Sequence, residues 1–264
     1  MGILETICEE RREAVRRAKL EAPPSSLKRD ADAPRLAPSL AASAAAWPRG
    51  LIAECKKASP SRGIMVKDYD PVRLALAYER GGASMVSVLT EPLRFLGSPE
   101  HLGAVCAAIA LPVLRKDFIV DPYQVLEAWA MGADAVLLIA SALRETEMAE
   151  LSAAAHELGL AVLAEVRVAG EIERSIAAKP DAIGVNSRDL RDFSVDTGRA
   201  AALASLLPPG VPKIAESGIA SGEEAAALGR AGFDGFLVGE ALATAPDPEA
   251  ATRRIAEAIK ERQA

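Results

Sequence analysis

The sequence predicts an α/β fold, a (β/α)8 TIM barrel with an N-terminal helical extension, and three observations carry that prediction. From Leu51 onward a short apolar run, a polar or glycine-rich loop and an amphipathic helical stretch follow one another eight times. The starts of the apolar runs lie roughly 20 to 33 residues apart, the length of one strand–loop–helix unit. Ionisable or amide side chains recur at the ends of those runs, where the strands of a closed barrel bring distant residues to one mouth. The runs are also near-continuously apolar, as expected of parallel strands covered by helices. An open doubly wound sheet is the alternative, but it calls for GxGxxG after its first strand, and the chain has Lys57-Ala-Ser-Pro-Ser-Arg-Gly63 there.

In chain order, residues 3–21 read as a charged helix with a loose stripe of Ile3, Ile7, Val15 and Ala18. The Ala-, Ser- and Pro-rich segment 23–48 has room for a short helix near 40–46. Residues 1–48 are therefore expected to be an extension packed on a barrel of 49–264, the alternative being a flexible tail. Strands are predicted at 51–56, 84–89, 112–116, 134–139, 161–165, 181–186, 212–216 and 235–239. Helices are predicted at about 70–81, 99–109, 121–131, 144–158, 168–178, 198–207, 221–231 and 247–261. Asp70-Pro71 and Asp121-Pro122 place an acidic cap before proline in the first turn, while Gly81, Gly132, Gly159 and Gly232 follow helix ends.

The chain has 264 residues with 37 acids against 31 Lys plus Arg, a net charge of -6. That balance argues against general binding to nucleic acid or to an anionic membrane and leaves room for a local basic pocket. Cys8, Cys55 and Cys106 lie far apart, without CxxC spacing, so neither a disulfide framework nor a zinc site is expected. No run reaches transmembrane length and the opening segment lacks a signal-peptide core, so the expected setting is cytoplasmic. The expected assembly is a monomer or weak dimer.

The strand ends supply the candidate chemistry: Glu54 and Lys56 on the first, Lys116 on the third, Glu165 on the fifth, Asn186 with Arg188 beyond it on the sixth, and Glu216-Ser217-Gly218 on the seventh. Taken singly, each fits a structural salt bridge or a wet rim position. Taken together, two lysines among carboxylates suit proton donation and removal in a confined mouth. Ser217-Gly-Ile-Ala-Ser-Gly222 and Val238-Gly-Glu-Ala-Leu242 follow the last two strands, where Gly218 and Gly239 fit a phosphate cradle and a short extra helix follows Gly239. Ser59 adds a hydroxyl from the first loop; glycine turns alone also fit mere tight turns. Phe118 offers an apolar wall for an aromatic group, whereas His101 and His156 read as structural. No Cys/His/Asp arrangement suggests a metal.

The chain resembles the indole-3-glycerol phosphate synthase family. The motifs that carry the resemblance run from about residue 51 to 242: Ile52-Ala-Glu-Cys-Lys-Lys-Ala-Ser-Pro-Ser-Arg-Gly63, Ser87-Val-Leu-Thr-Glu91, Phe95 with Gly97-Ser98, Pro112-Val-Leu-Arg-Lys-Asp-Phe-Ile119, Ala164-Glu-Val166, Ile183-Gly-Val-Asn-Ser-Arg-Asp-Leu190, Ala215-Glu-Ser-Gly-Ile219 and Val238-Gly-Glu240. The resemblance implies conversion of 1-(2-carboxyphenylamino)-1-deoxyribulose 5-phosphate to indole-3-glycerol phosphate, carbon dioxide and water, with no cofactor and no metal. It implies that Lys116 is the general acid at the ribulose carbonyl and that Lys56 binds the substrate carboxylate and acts in dehydration. Glu54 and Glu165 then share base and acid duties, Asn186 and Arg188 position the ring, and Glu216 and Ser217 complete the polar wall. The phosphate is expected near Ser59, Gly218 and Gly239. Two departures are Arg167, where family members commonly carry histidine, and Ala243, in place of a bulkier residue. Phosphoribosylanthranilate isomerase, the tryptophan synthase alpha subunit and a catalytically silent phosphosugar-binding protein are the competing readings. The isomerase and the alpha subunit do not call for Glu54 and Lys56 together with Lys116.

Overall fold

The computed structural model describes residues 2–29, 47, 49–189 and 194–263. The short helix expected near 40–46 lies outside the described residues. Helix α1 (Ile3–Glu21) comes first, and then eight parallel strands close on themselves: β1 (Gly50–Cys55), β4 (Met85–Leu89), β5 (Val113–Lys116), β6 (Ala135–Ile139), β7 (Ala161–Val166), β8 (Ala182–Asn186), β9 (Lys213–Glu216) and β10 (Gly235–Val238). Closure is made by β1 pairing with β4 on one side and β10 on the other, Ile52 opposite Met85 and Leu237.

The connecting helices are α2 (Pro71–Arg80), α3 (Pro99–Ala108), α4 (Pro122–Ala130), α5 (Glu145–Glu157), α6 (Ile172–Ala177), α7 (Thr197–Ala204), α8 (Gly222–Arg230), the short α9 (Glu240–Ala243) and α10 (Pro248–Gln263). Their starts follow local chemistry. Asp70 accepts from the Arg73 amide at 3.0 Å and Asp121 from the Tyr123 amide at 2.9 Å, each ahead of a proline whose missing N–H costs nothing there. After α2 the left-handed residue is Gly82, with φ 86, rather than Gly81. Gly81 is required for space: a Cβ there would stand 2.6 Å from Thr252 Cβ and 2.8 Å from the Glu249 carbonyl of α10. The first loop carries a short hairpin of β2 (Ala58–Ser59) and β3 (Gly63–Ile64), which its polar, Ser- and Pro-rich sequence does not predict.

Period two sorts the strand residues into two apolar layers. Leu51, Ala53, Cys55, Val86, Val88, Val136 and Val185 face outward into the helix layer. Ile52, Met85, Leu114, Leu137, Leu163, Ile214 and Leu237 fill the barrel, joined by Ile7, Cys8 and Trp47 from before the first strand. Each fully buried side chain of this size contributes about 1.5–3 kcal/mol relative to exposure. At the N-terminal end of the barrel, three aspartates recur in one role. Asp134, Asp181 and Asp234 accept from the amides of Val113, Val162 and Lys213 at 2.9, 2.8 and 3.0 Å. Among the described residues no helix is long and apolar enough to cross a membrane.

Candidate active site

The same alternation that buries Ile52 points Glu54 inward two residues later, at the C-terminal end of β1. Lys56 follows the strand and forms a close ion pair with Glu54. Lys116 ends β5, and its Nζ lies 3.3 Å from Glu165 Oε2 of β7 and 3.2 Å from Glu216 Oε2 of β9. Three carboxylates and two ammonium groups, contributed by strands distant in sequence, thus share one mouth. Glycines make the space: a Cβ on Gly184 would overlap Glu216 Oε1, and one on Gly239 would overlap Glu54 Oε1. Asn186 ends β8 and fixes the next turn by accepting from the Arg188 amide at 2.9 Å. Arg188 then forms an isolated bridge with Val195.

Electrostatics here are decided by burial against charge. Burial pulls Lys116 toward its neutral form, but Glu216, Glu165 and Glu54 outweigh it and hold the ammonium above the ordinary lysine range. Glu216 is 1% exposed. Burial pushes its carboxyl up to about 8, with the negative charge of Glu165 adding to the rise and Lys116 opposing it. The cluster therefore releases the Glu216 proton at a higher pH than a free carboxyl does, while the Lys116 ammonium stays charged.

All twelve residues singled out in the sequence line one cavity of about 510 Å³: Glu54, Lys56, Ser59, Lys116, Phe118, Glu165, Asn186, Arg188, Glu216, Ser217, Gly218 and Gly239. Ser217 and Gly218 both take left-handed backbone, φ 67 and 74, which sharpens the turn after β9. At Ser217 that conformation costs of order 1–3 kcal/mol, a backbone strain that Leu96 and Lys179 also carry. Phe118 plays a double part, 6% exposed within the inner apolar cluster while also walling the cavity.

The structure adds residues that the sequence reading did not single out as a site. Phe95 lines the cavity and faces Phe118, with ring centroids 6.3 Å apart. Glu91 folds that loop inward: its carboxylate accepts from the amides of Leu93, Arg94 and Phe95 at 2.9, 2.6 and 2.9 Å. Leu89, Leu137, Ile139 and Leu237 give an apolar floor and side, and strand parity alone marks them as inward. Arg62 of the hairpin pairs with Glu240 of α9 at 2.9 Å, joining the first loop to the last. His101 packs edge-on against Tyr69, and His156 lies 3.0 Å from Asp181; neither lines the cavity. Among the described residues, no group of three or more His, Cys, Asp or Glu is placed to hold a metal ion.

The sequence profile of the indole-3-glycerol phosphate synthase family matches residues 4–255. The chain belongs to the indole-3-glycerol phosphate synthase family. Within the family, it is 46% identical over 256 residues to an indole-3-glycerol phosphate synthase of Rhizorhabdus wittichii, covering 96% of this chain and 97% of that relative. It is 45% identical over 253 residues to that of Carboxydothermus hydrogenoformans, covering 93% and 96% respectively. Among solved structures it resembles a 3-hexulose-6-phosphate synthase with a TM-score of 0.65 at 19% identity, over 79% of this chain and 99% of the other. At that identity the likeness speaks for the barrel alone.

Proposed function

We propose that this family member closes the indole ring of 1-(2-carboxyphenylamino)-1-deoxyribulose 5-phosphate, releasing carbon dioxide and water, and that the cavity at the strand C-termini is where it does so. The observation that carries the reading is Lys116 Nζ held between Glu165 and Glu216, in the same cavity as the Glu54–Lys56 pair.

In the first step the ring carbon bearing the carboxylate attacks the ribulose carbonyl carbon. One carbon–carbon bond forms, the ring loses aromaticity, and negative charge grows on the carbonyl oxygen. An ammonium fixed beside that oxygen stabilises the transition state more than the ground state. Lys116 supplies that cation and acts as general acid. Glu216, whose carboxyl is pushed up by burial, stands 3.2 Å from Lys116 as a group from which it can be reprotonated. Loss of the carboxylate as carbon dioxide returns the electron pair to the ring. In dehydration Lys56 protonates the departing hydroxyl after first binding the carboxylate, and Glu165 and Glu54 exchange protons with the ring nitrogen and the adjacent carbon.

Binding sets the geometry. Phe95 and Phe118 flank the aryl group, with Asn186 and Arg188 orienting its substituents. The phosphate is placed by Ser59 and by the turns at Gly218 and Gly239, with Ser217 completing the wall. Anchoring the anion on one side and the ring on the other folds the flexible linker into a reactive pose. A cytoplasmic setting and a monomer or weak dimer complete the reading; Cys8, Cys55 and Cys106, far apart in the chain and without CxxC spacing, suit a reducing compartment.

The test is a steady-state assay of purified protein with the carboxyphenylamino substrate in excess chelator, following indole absorbance. Product is expected under those conditions, and Lys116→Ala is expected to lower turnover by about 100-fold or more while remaining folded. A wild-type protein that forms no product, or a folded Lys116→Ala variant with near-normal turnover, would remove the assignment.

A further inference from the structure

Lys116 and Phe118 enclose a residue that points the other way. Arg115 and Asp117 alternate outward from β5 into the helix layer, where the side chains of both are fully shielded from solvent. Asp117 collects four donors. Its Oδ2 accepts from Thr90 Oγ1 and Arg11 Nη2, both at 2.7 Å, and from Arg115 Nη2 at 3.1 Å, while its Oδ1 accepts from the Phe118 amide at 2.9 Å. Arg115 in turn donates to Thr90 Oγ1 at 3.1 Å and to the Gln124 carbonyl at 2.8 Å, and pairs with Glu127 at 2.7 Å. Gln124 closes the frame, donating to the Phe118 carbonyl at 3.0 Å and accepting from the Val120 amide at 2.9 Å. Every polar group of the turn from 117 to 120 named here is thus held by this network. One of its members comes from far away in the chain: Arg11, on α1, is 7% exposed.

We propose that Arg11 is a positioning residue for Lys116 and Phe118, acting through Asp117, so that the N-terminal helix sets the aim of the reacting ammonium and of the aryl wall. The inference rests on the reading that those two residues meet the substrate. Charge balance supplies the reason. Arg11 and Arg115 offset Asp117 and Glu127; without Arg11 the buried Asp117 and the part-exposed Glu127 share a single cation. An uncompensated buried charge is relieved by movement toward solvent or other donors. Here movement of Asp117 pulls on its bond to the Phe118 amide and on the backbone joined to Lys116. The anion side of the cavity, at Ser59, Gly218 and Gly239, contributes no group to this network. Other tethers keep α1 docked: Lys19 pairs with Asp121 at 2.7 Å, Arg94 with Glu10 at 3.0 Å, and Tyr123 donates to the Ala22 carbonyl at 2.9 Å. Replacing Arg11 therefore perturbs aim rather than attachment.

The experiment compares Arg11→Met, Arg11→Lys and, as a control on the same helix, Arg16→Ala, whose arginine makes an exposed local pair with Glu13. Three quantities are read: turnover, inhibition by inorganic phosphate, and residue-resolved hydrogen exchange of the substrate-free protein. Arg11→Met is expected to lower kcat about tenfold or more through misplacement of the reacting groups. Its phosphate inhibition constant should stay within about twofold, as for a distant independent site. Exchange at the Phe118 amide should quicken about tenfold, with the β8 amides of Ile183 and Val185 unchanged. Arg11→Lys, which keeps the charge, should recover most of both losses, and Arg16→Ala should match wild type. Wild-type kcat and unchanged Phe118 exchange in Arg11→Met overturn the proposal. So does a parallel loss of turnover, phosphate affinity and protection throughout the barrel, which is destabilisation alone. If the wild-type protein forms no indole product, the proposed reaction fails, and the exchange measurement still decides the role of Arg11.

Discussion

Glu216 shows how one side chain ties stability to pH in this barrel. Its folded carboxyl titrates at about 8, above the ordinary 4.5, chiefly because burial disfavours the charge. The native state therefore holds a proton that the unfolded chain has released between those values, and by linkage the contribution of this group to stability falls as pH rises from about 4.5 to 8. Glu216→Gln removes the titration and keeps the shape. Thermal midpoints of the two proteins are expected to converge near pH 5 and to separate by pH 9 in favour of the glutamine variant. The wild-type kcat/KM profile should carry a limb near pH 8 that the variant lacks; because Lys116 and Glu165 share the site, that limb belongs to the cluster rather than to one residue. A constant difference in midpoint across the range, with unchanged profiles, would show that Glu216 is ionised throughout. The inward direction of this residue is legible in the sequence from its parity with Ile214. Its protonation is not, because it depends on Glu165 and Lys116, 51 and 100 residues earlier in the chain.

At the scale of elements, strands and helices are legible where period and punctuation agree. The eight predicted strands all occur, most within a residue of their expected ends, because apolar runs bounded by Gly, Pro and Asp leave few alternatives. The β2–β3 hairpin escapes such reading, since Ala58-Ser59 and Gly63-Ile64 are too short to show alternation. Helix α6 begins at Ile172 rather than near 168, after a single 3-10 turn at Ala169–Glu171. Arg11 escapes for a different reason: it lies on the stripe of Ile3, Ile7 and Val15 at a spacing of four, but the partner that makes its burial tolerable, Asp117, is 106 residues away in the chain. The recurring aspartate before β6, β8 and β10 gives an element-level prediction. Asp134→Ala leaves the Val113 amide without its acceptor at the N-terminal end of the barrel, costing about 1–3 kcal/mol. Denaturant titration should show that loss while kcat of the folded protein stays at the wild-type value. A loss of kcat at full folding would mean that the two ends of the barrel are coupled.

For the molecule as a whole, the ring of helices is completed by α10, which packs against α2 and α8 and carries Glu249, bonded to Arg80 at 2.7 Å. Two glycines, Gly81 and Gly222, admit it at close range, beside Thr252 and Ala258. Gly81→Ala forces a methyl against α10 and is expected to cost about 1–3 kcal/mol of overpacking strain, roughly 2–4 °C of Tm per kcal/mol at this chain length. An unchanged Tm would show that α10 yields freely and closes the ring only loosely.

Beneath the charged mouth, Ile52, Met85, Leu114, Leu163 and Ile214 block the barrel axis, each essentially inaccessible to water. That stopper makes the cavity a blind alley. On the proposed reading, the substrate shares its doorway with the gas, the water and the finished product on their way out, and protons reach the charged cluster from the open end alone.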